Sequence, residues 1–455
     1  MTLLDSLFRW PAIDAFFSDA ARLQGMLDFE SALARAEATC GVIPWTAAPA
    51  IATQCREELF DFAALQKNAA IAGNLAIPMV QQLSALVAKE DHAAAEFVHW
   101  GATSQDAIDT GMVLQLRGAL GVLDREILQL AGILAKLADQ HRTTLIAGRT
   151  WMQHAAPTTF SVKVAGWLDA LHRHLARLDE TRGRALVLQF GGAVGTLSAF
   201  GEHGAKVSAA LAKELALKAP DIPWHSHRDR FAEVATTLGL LTGTLGKIAR
   251  DIALHAQTEI AELREPAGAG RGTSSAMPQK QNPVASAVAL AAAVRVPHLV
   301  ATLLAAMPQE DERGLGGWHA EWEVVPEIVC LTGGALHHLH VTISALHVDT
   351  ARMRENLDIA HGLIYAEAAT NAVAARIGKR EGRRLIEAAC EQVQSTHTHL
   401  REVLLASPGI RQHFKSEEIS QWFDAEKFST SGEHMIDKVL STQRSLVSKQ
   451  NRGDG

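Results

Sequence analysis

The chain has 455 residues, 47% of them hydrophobic and only 5% aromatic, with a formal net charge of −7. That length exceeds what one hydrophobic core organises and predicts two or three domains. The mild acidity excludes a dedicated nucleic-acid binder, which would carry a basic face.

From the N-terminus, M-T-L-L-D-S-L-F-R-W-P lacks a basic stretch followed by an uninterrupted apolar core, so no signal peptide is expected. Cys40, Cys55, Cys330 and Cys390 are widely spaced, with no C-x-x-C pair, and read as free thiols of a reducing cytoplasm. No proline occurs over 80–156, 158–219 or 327–407, and these Ala/Leu-rich stretches favour long helices. The segment from Phe231 to Leu263 fits one helix of about 50 Å, a length typical of bundles. The expected fold is therefore all-α. An N-terminal helical domain spans 1–109, a long central bundle 110–358, and a small helical C-terminal domain 359–455. The polar tail from Ser441 is expected to fray. No internal repeat is visible.

The first chemically informative segment is His99-Trp100-Gly101-Ala102-Thr103-Ser104-Gln105-Asp106, ahead of a helical run from near Thr110. Hydroxyls and backbone N–H groups at such a helix entrance suit a carboxylate. The plainer account is a helix cap by Thr, Ser or Asp. A second segment runs from Gly148 to Phe160 and carries Arg149, Trp151, Gln153 and His154. A third, Pro266 to Pro283, holds Gly268, Gly270 and Gly272, then Ser274, Ser275, Lys280 and Asn282. Glycines that free the backbone and prolines that fix it suit a mobile flap. Its hydroxyls, cations and carboxamides suit an anionic substrate. The alternative is a flexible surface connection with ordinary polar residues.

Val284 to Met307 is almost wholly apolar, but Arg295, Pro297 and His298 sit at its centre. A charge at mid-bilayer costs roughly 2.5–3.5 kcal/mol or more, so a protein core is expected and no membrane. One chain of this size has little with which to surround several such helices, which implies that subunits pack helix against helix. Met307 to Trp322 then brings Arg313, a candidate carboxylate clamp. Trp318 and Trp322, four residues apart, are able to pack together on a helix. His337, His338 and His340 form the densest histidine cluster. No carboxylate or cysteine accompanies them at ligand spacing, so hydrogen-bonded histidines are expected and no metal. No Walker loop or dinucleotide fingerprint is present, and no cofactor is expected.

The run Ser274-Ser275-Ala276-Met277-Pro278-Gln279-Lys280-Gln281-Asn282-Pro283 resembles the S-S-x-M-P-x-K-x-N-P signature of the fumarase/aspartase superfamily. The family usually has Gly where this chain has Thr273. The 99–106 segment resembles the H-x-G-x-T-S region of adenylosuccinate lyases and carboxymuconate cycloisomerases. Residues 148–160 resemble G-R-T-H-x-Q-H-A-x-P-T-T-F, with Trp151 in place of a histidine used by the argininosuccinate and adenylosuccinate lyases in acid/base chemistry. Residues 307–322 resemble the cycloisomerase pattern M-P-Q-E-x-E-R-x-L-G-x-W-H-A-E-W.

The resemblance implies a cytoplasmic homotetramer with a multi-helix core, each site drawing on three subunits. It also implies a small tricarboxylate substrate, closed from a muconate to a γ-lactone in aromatic catabolism. Ser274 is the implied proton donor, assisted by Lys280, with Ser275 the alternative. Asn282 and Lys280 are implied to hold the carboxyl where charge develops. His99, Thr103, Ser104 and Arg313 are implied to bind the other carboxylates, and Gln153 and His154 to orient the diene. Trp151 discriminates: an amine leaving group needs a general acid, whereas a carboxylate, with a pKa near about 4, leaves unaided. An amine lyase of the same fold, or a non-catalytic structural homologue, are the alternatives.

Overall fold

Hydrophobic residues in this chain recur at alternating steps of three and four. Seven helices dominate: α1 (Asp19–Thr39), α2 (Ser104–Gln140), α3 (Phe160–Ala185), α4 (Asp229–His255), α5 (Val284–Ala306), α6 (Gly317–Ser344) and α7 (Glu433–Gly453). On α2, Val113, Leu116, Leu120, Leu123, Ile127, Leu130 and Leu134 are all fully buried. On α4, Phe231, Val234, Leu238, Leu241, Leu245, Ile248 and Ile252 repeat the pattern. A 3-4 spacing keeps one stripe facing a neighbour along the whole helix, the condition for bundle packing. The all-α expectation is met.

The computed structural model describes residues 3–268, 270–430 and 432–453, with 449–453 described by backbone alone. The chain divides into two compact units, each assembled from three stretches. The first comprises 1–127, 173–246 and 288–339. In it, Leu23, Met26 and Leu27 of α1 pack with Ile51, Met79, Leu83 and Val87. Further along α1, Phe29 and Leu33 join Leu188, Phe190, Phe200 and Leu211. The second unit comprises 128–172, 247–287 and 340–455. Its C-terminal core gathers Val373, Ile386, Val393, Leu400, Leu404 and Ile419.

Four expectations are corrected. Helix α2 begins at Ser104, six residues earlier than expected, because Asp106 closes its first turn: its carboxylate accepts the Thr103 N–H and its own N–H bonds the Thr103 carbonyl. The helix expected to reach Leu263 ends at His255: Ala261 takes a left-handed φ of 52°, and the N–H of Glu262 turns back to the carbonyl of His255. Residues 145–159, inside and beyond a proline-free stretch, form a hairpin of β1 (Leu145–Thr150) and β2 (Gln153–Thr159). Its Leu145 and Ala147 alternate into a small core with Leu357, Ile364 and Tyr365. Finally, the polar tail is helical through Gly453, since Ile436, Leu440 and Gln443 bury one face and Gln443 pairs with His172.

Helix α5 is long and apolar enough to cross a membrane by length and composition, yet only 28% of its most apolar window is buried. Ala285, Ala289, Ala292 and Val296 form one narrow inward stripe, while Val294 on the opposite face is 66% exposed. Within one chain this helix is therefore not enclosed in a core.

Candidate active site

In the first unit, the corner before α2 is held open by its backbone. His99 has φ 59° and Gly101 φ 64°, and a Cβ on Gly101 would lie 2.5 Å from the Phe200 ring. Asp106 then fixes the helix start. Its carboxylate accepts from the N–H of Thr103 at 3.1 Å, from Gly191 at 3.0 Å and Gly192 at 2.9 Å, and pairs with His225 Nε2 at 2.8 Å. A buried carboxylate so surrounded ties three chain segments together. The hydroxyls of Thr103 and Ser104 are half-buried and make no hydrogen bond among the described residues. They remain available as ligand donors.

Gln105, beside Ser104, brings Arg313 to this corner: Arg313 Nε donates to Gln105 Oε1 at 3.0 Å and Nη2 to the Ala193 carbonyl at 3.1 Å. Nη1 makes no hydrogen bond among the described residues. Beneath lies a fully buried ion triad. Arg228 donates to Asp109 at 2.7 Å and to Glu321 at 3.0 Å, and Trp318 Nε1 donates to Asp109 at 3.0 Å. Burial alone disfavours the guanidinium, but the two carboxylates outweigh it and hold the charge. Trp318 and Trp322 pack edge to face at 4.9 Å, as their spacing predicts.

In the second unit, Trp151 and Met152 form the two-residue tip of the hairpin, with φ of 52° and 65°. Both sit in the left-handed region that L-residues avoid. Trp151 is 97% exposed, so it is not a packed aromatic of this chain. Gln153 is exposed and His154 half-buried. Burial, then the charge of Arg149, push the His154 imidazole below its ordinary value, so the ring is neutral at pH 7. The hairpin base is anchored by Glu262, which receives both Arg149 nitrogens at 3.0 and 2.8 Å, Asn356 Nδ2 at 2.8 Å and His255 Nδ1 at 2.5 Å. Burial opposes that carboxylate's charge, yet these four bonds bring its pKa down to about 2.

The flap follows three residues later. Glu265 closes its root by accepting from the N–H groups of Ala285 and Ser286 at 3.0 and 2.9 Å, at the start of α5. The Asn282 N–H bonds the Gly272 carbonyl at 2.8 Å, and Thr273 bridges Gln281. What remains is a tight loop with Ser274 and Lys280 near its ends and Met277 at its tip. Ser274 Oγ accepts from the N–H of Met277 at 3.1 Å and of Ala276 at 3.4 Å. Lys280 is exposed. The structure thus gathers His99, Thr103, Ser104 and Arg313 in one unit. Trp151, Gln153, His154, Ser274, Lys280 and Asn282 lie in the other.

Sequence reasoning missed Glu30, Glu262, Arg228 and His225. Each is an isolated charged or polar residue in a helical or turn segment, with no local pattern to mark it as buried. The expected thiols are free at all four cysteines. His337 is hydrogen-bonded, to Glu126 at 3.1 Å, and stacks on Trp10 at 4.5 Å.

Long helices, a glycine-framed loop carrying Ser274 and a helix entrance carrying Thr103 and Ser104 fit a lyase of the fumarase/aspartase kind. The family profile described as "Lyase" matches residues 9–297, and that of the adenylosuccinate lyase C-terminus matches 362–439. The chain belongs to this lyase family, within the fumarase/aspartase superfamily. It is 50% identical to a 3-carboxy-cis,cis-muconate cycloisomerase of Pseudomonas aeruginosa, over 98% of this chain and 97% of that one. It is 39% identical to a nitrosuccinate lyase of Streptomyces davaonensis, over 94% and 92% of the two chains. The crystal structure of 3-carboxy-cis,cis-muconate lactonizing enzyme from Pseudomonas putida superposes with a TM-score of 0.92 at 46% identity, covering 98% of this chain and 99% of that one.

Proposed function

We propose that this chain catalyses the reversible closure of 3-carboxy-cis,cis-muconate to 4-carboxymuconolactone, a step of aromatic catabolism through the protocatechuate branch. The observation that carries the reading is the hairpin tip. There Trp151, a group that cannot donate a proton to a leaving amine, stands exposed where amine lyases of the fold use histidine. The likeness to full-length cycloisomerases supports the same choice.

One substrate carboxylate adds to the conjugated double bond, negative charge builds on the adjacent carboxyl as an aci-carboxylate, and carbon is then protonated. Ser274 is the proton donor, and the base in reverse. The N–H groups of Ala276 and Met277 already point at its oxygen and favour the alkoxide left behind. Lys280 and Asn282 hold the carboxyl where charge develops. Thr103, Ser104, His99 and Arg313, the last through Nη1, receive the other carboxylates. Gln153 and neutral His154 orient the diene. No cofactor, metal, nucleic acid or membrane takes part.

The enzyme is a cytoplasmic homotetramer in which each site takes the segments 99–106, 149–160 and 272–283 from three different subunits, the chain being read as an N-terminal helical domain 1–109, a central bundle 110–358 and a C-terminal helical domain 359–455. The apolar outer face of α5 supports such packing. Loss of diene absorbance on adding 3-carboxymuconate tests the activity, beside nitrosuccinate, fumarate and argininosuccinate. Turnover of 3-carboxymuconate alone is expected; turnover of one of the others in its place overturns the reading.

A further inference from the structure

His99 is the one ionisable side chain among the carboxylate-binding candidates at the α2 corner whose charge is open to question, since Arg313 is always charged. Its Nδ1 lies 2.6 Å from Glu30 Oε1, a carboxylate on α1 buried to 1% exposure. The imidazole itself is 15% exposed, and Nε2 has no hydrogen bond among the described residues. The backbone at His99 is left-handed, a costly conformation for a residue with a Cβ.

Two more acids face this ring or its partner. Asp106 faces it from α2, and Glu37 lies two helical turns beyond Glu30 on α1. Glu37 is fully buried and neither of its oxygens has a hydrogen-bond partner. Burial, reinforced by the charge of Glu30, pushes its pKa up to about 9. It is therefore a neutral acid at working pH. Burial of His99 works against its protonation, but the charge and hydrogen bond of Glu30, with Asp106 behind, outweigh it and raise its pKa.

We propose that Glu30 is the positioning residue of His99, fixing the ring through Nδ1 and keeping it an imidazolium whose Nε2–H receives a substrate carboxylate. This rests on the placement of His99 in the substrate site. Glu30 itself touches no substrate. A neutral ring bound through Nδ1 would instead offer Nε2 as a lone pair, which repels a carboxylate.

The test uses the full-length protein. Deuterium exchange at the imidazole Cε1, read by mass on the peptide bearing His99, gives its titration midpoint without reference to activity. The wild-type midpoint is expected above about 6.5, the ordinary histidine value. In Glu30→Gln the midpoint should fall by about one pH unit or more. The alkaline limb of kcat/KM should move down with it, costing about tenfold at pH 8, the equivalent of one unit, and far less at pH 6. Glu30→Asp should keep the midpoint near wild type. Glu37→Gln, replacing an acid already neutral, should leave midpoint and limb in place. A wild-type midpoint at or below the ordinary value, or one unmoved in Glu30→Gln, overturns the role of Glu30. A midpoint that moves while the rate profile stays fixed overturns instead the placement of His99 against substrate. The wild-type midpoint decides the matter even where a Glu30 variant fails to fold.

Discussion

At the scale of single residues, Ser274 carries the heaviest assignment. Ser274→Ala should lower kcat by about 10²–10⁴-fold, the usual worth of a positioned acid or base, with assembly unchanged. Near-normal turnover would move the role to Ser275. Trp151→Phe should alter KM more than kcat, because an exposed indole offers contact and no titrating proton; loss of one limb of the kcat profile would contradict the leaving-group argument. Glu37 gives a stability prediction of definite sign. Its folded pKa of about 9 lies above the ordinary 4.5, so the folded state binds the extra proton and stability falls as pH rises between those values. At pH 7 the deficit is about 3 kcal/mol. Glu37→Gln should raise the melting temperature progressively from pH 5 to pH 9, and a gain independent of pH would refute the buried neutral acid. The residues proposed to bond a ligand stand in short contiguous runs, the kind of pattern a sequence displays. Glu30 and Glu262 do not: they act through space on residues 69 and 113 positions away, and their own neighbourhoods look like any solvated helix or turn.

At the scale of elements, the flap is a closed loop whose shape depends on Gly272. That residue has φ 70°, and a Cβ there would sit 2.6 Å from the Asn282 carbonyl oxygen. Gly272→Ala should therefore force Ser274 away from Lys280 and Asn282. A displacement near 1 Å costs on the order of 10²-fold, so kcat/KM should fall by that order while the melting temperature stays within a few degrees. Unchanged kinetics would mean that the flap reshapes itself on binding. Proline spacing revealed the long helices, and the 3-4 repeats from Val113 to Leu134 and from Phe231 to Ile252 mark their buried seams. Helix ends were harder. The stop at His255 depends on Glu262 finding Arg149 and Asn356, contacts that no window of sequence contains. The hairpin was hidden for a related reason: Arg149 at its base gains its partner Glu262 only from a distant turn.

At the scale of the whole molecule, the proposed sharing of sites makes mixing informative. An inactive His99→Ala/Thr103→Ala protein and an inactive Ser274→Ala protein, unfolded and refolded together, should recover activity in a minority of sites, where all contributing segments are native. Mixed assemblies seen by mass but as inactive as their parents would rule the arrangement out. Composition made an all-helical protein legible, and the apolar run of α5 made a subunit contact inferable, because a helix with Val294 and Leu304 outward has no cover within its own chain. The two-unit division was not legible. It falls inside long helices, where neither composition nor proline marks a boundary.

That interleaving bears on how the protein is made. The first unit needs residues 288–339 as well as 1–127, and the second closes only with the C-terminal stretch. At ordinary rates of translation, roughly 10–40 s separate the emergence of residue 127 from that of residue 339. Until the end of that interval the unit that holds the N-terminal part of α2 lacks residues 288–339, which complete it. Folding is thus postponed until synthesis is nearly finished. The nascent chain should depend on holding chaperones, and truncated products should be captured by them instead of accumulating as folded N-terminal fragments.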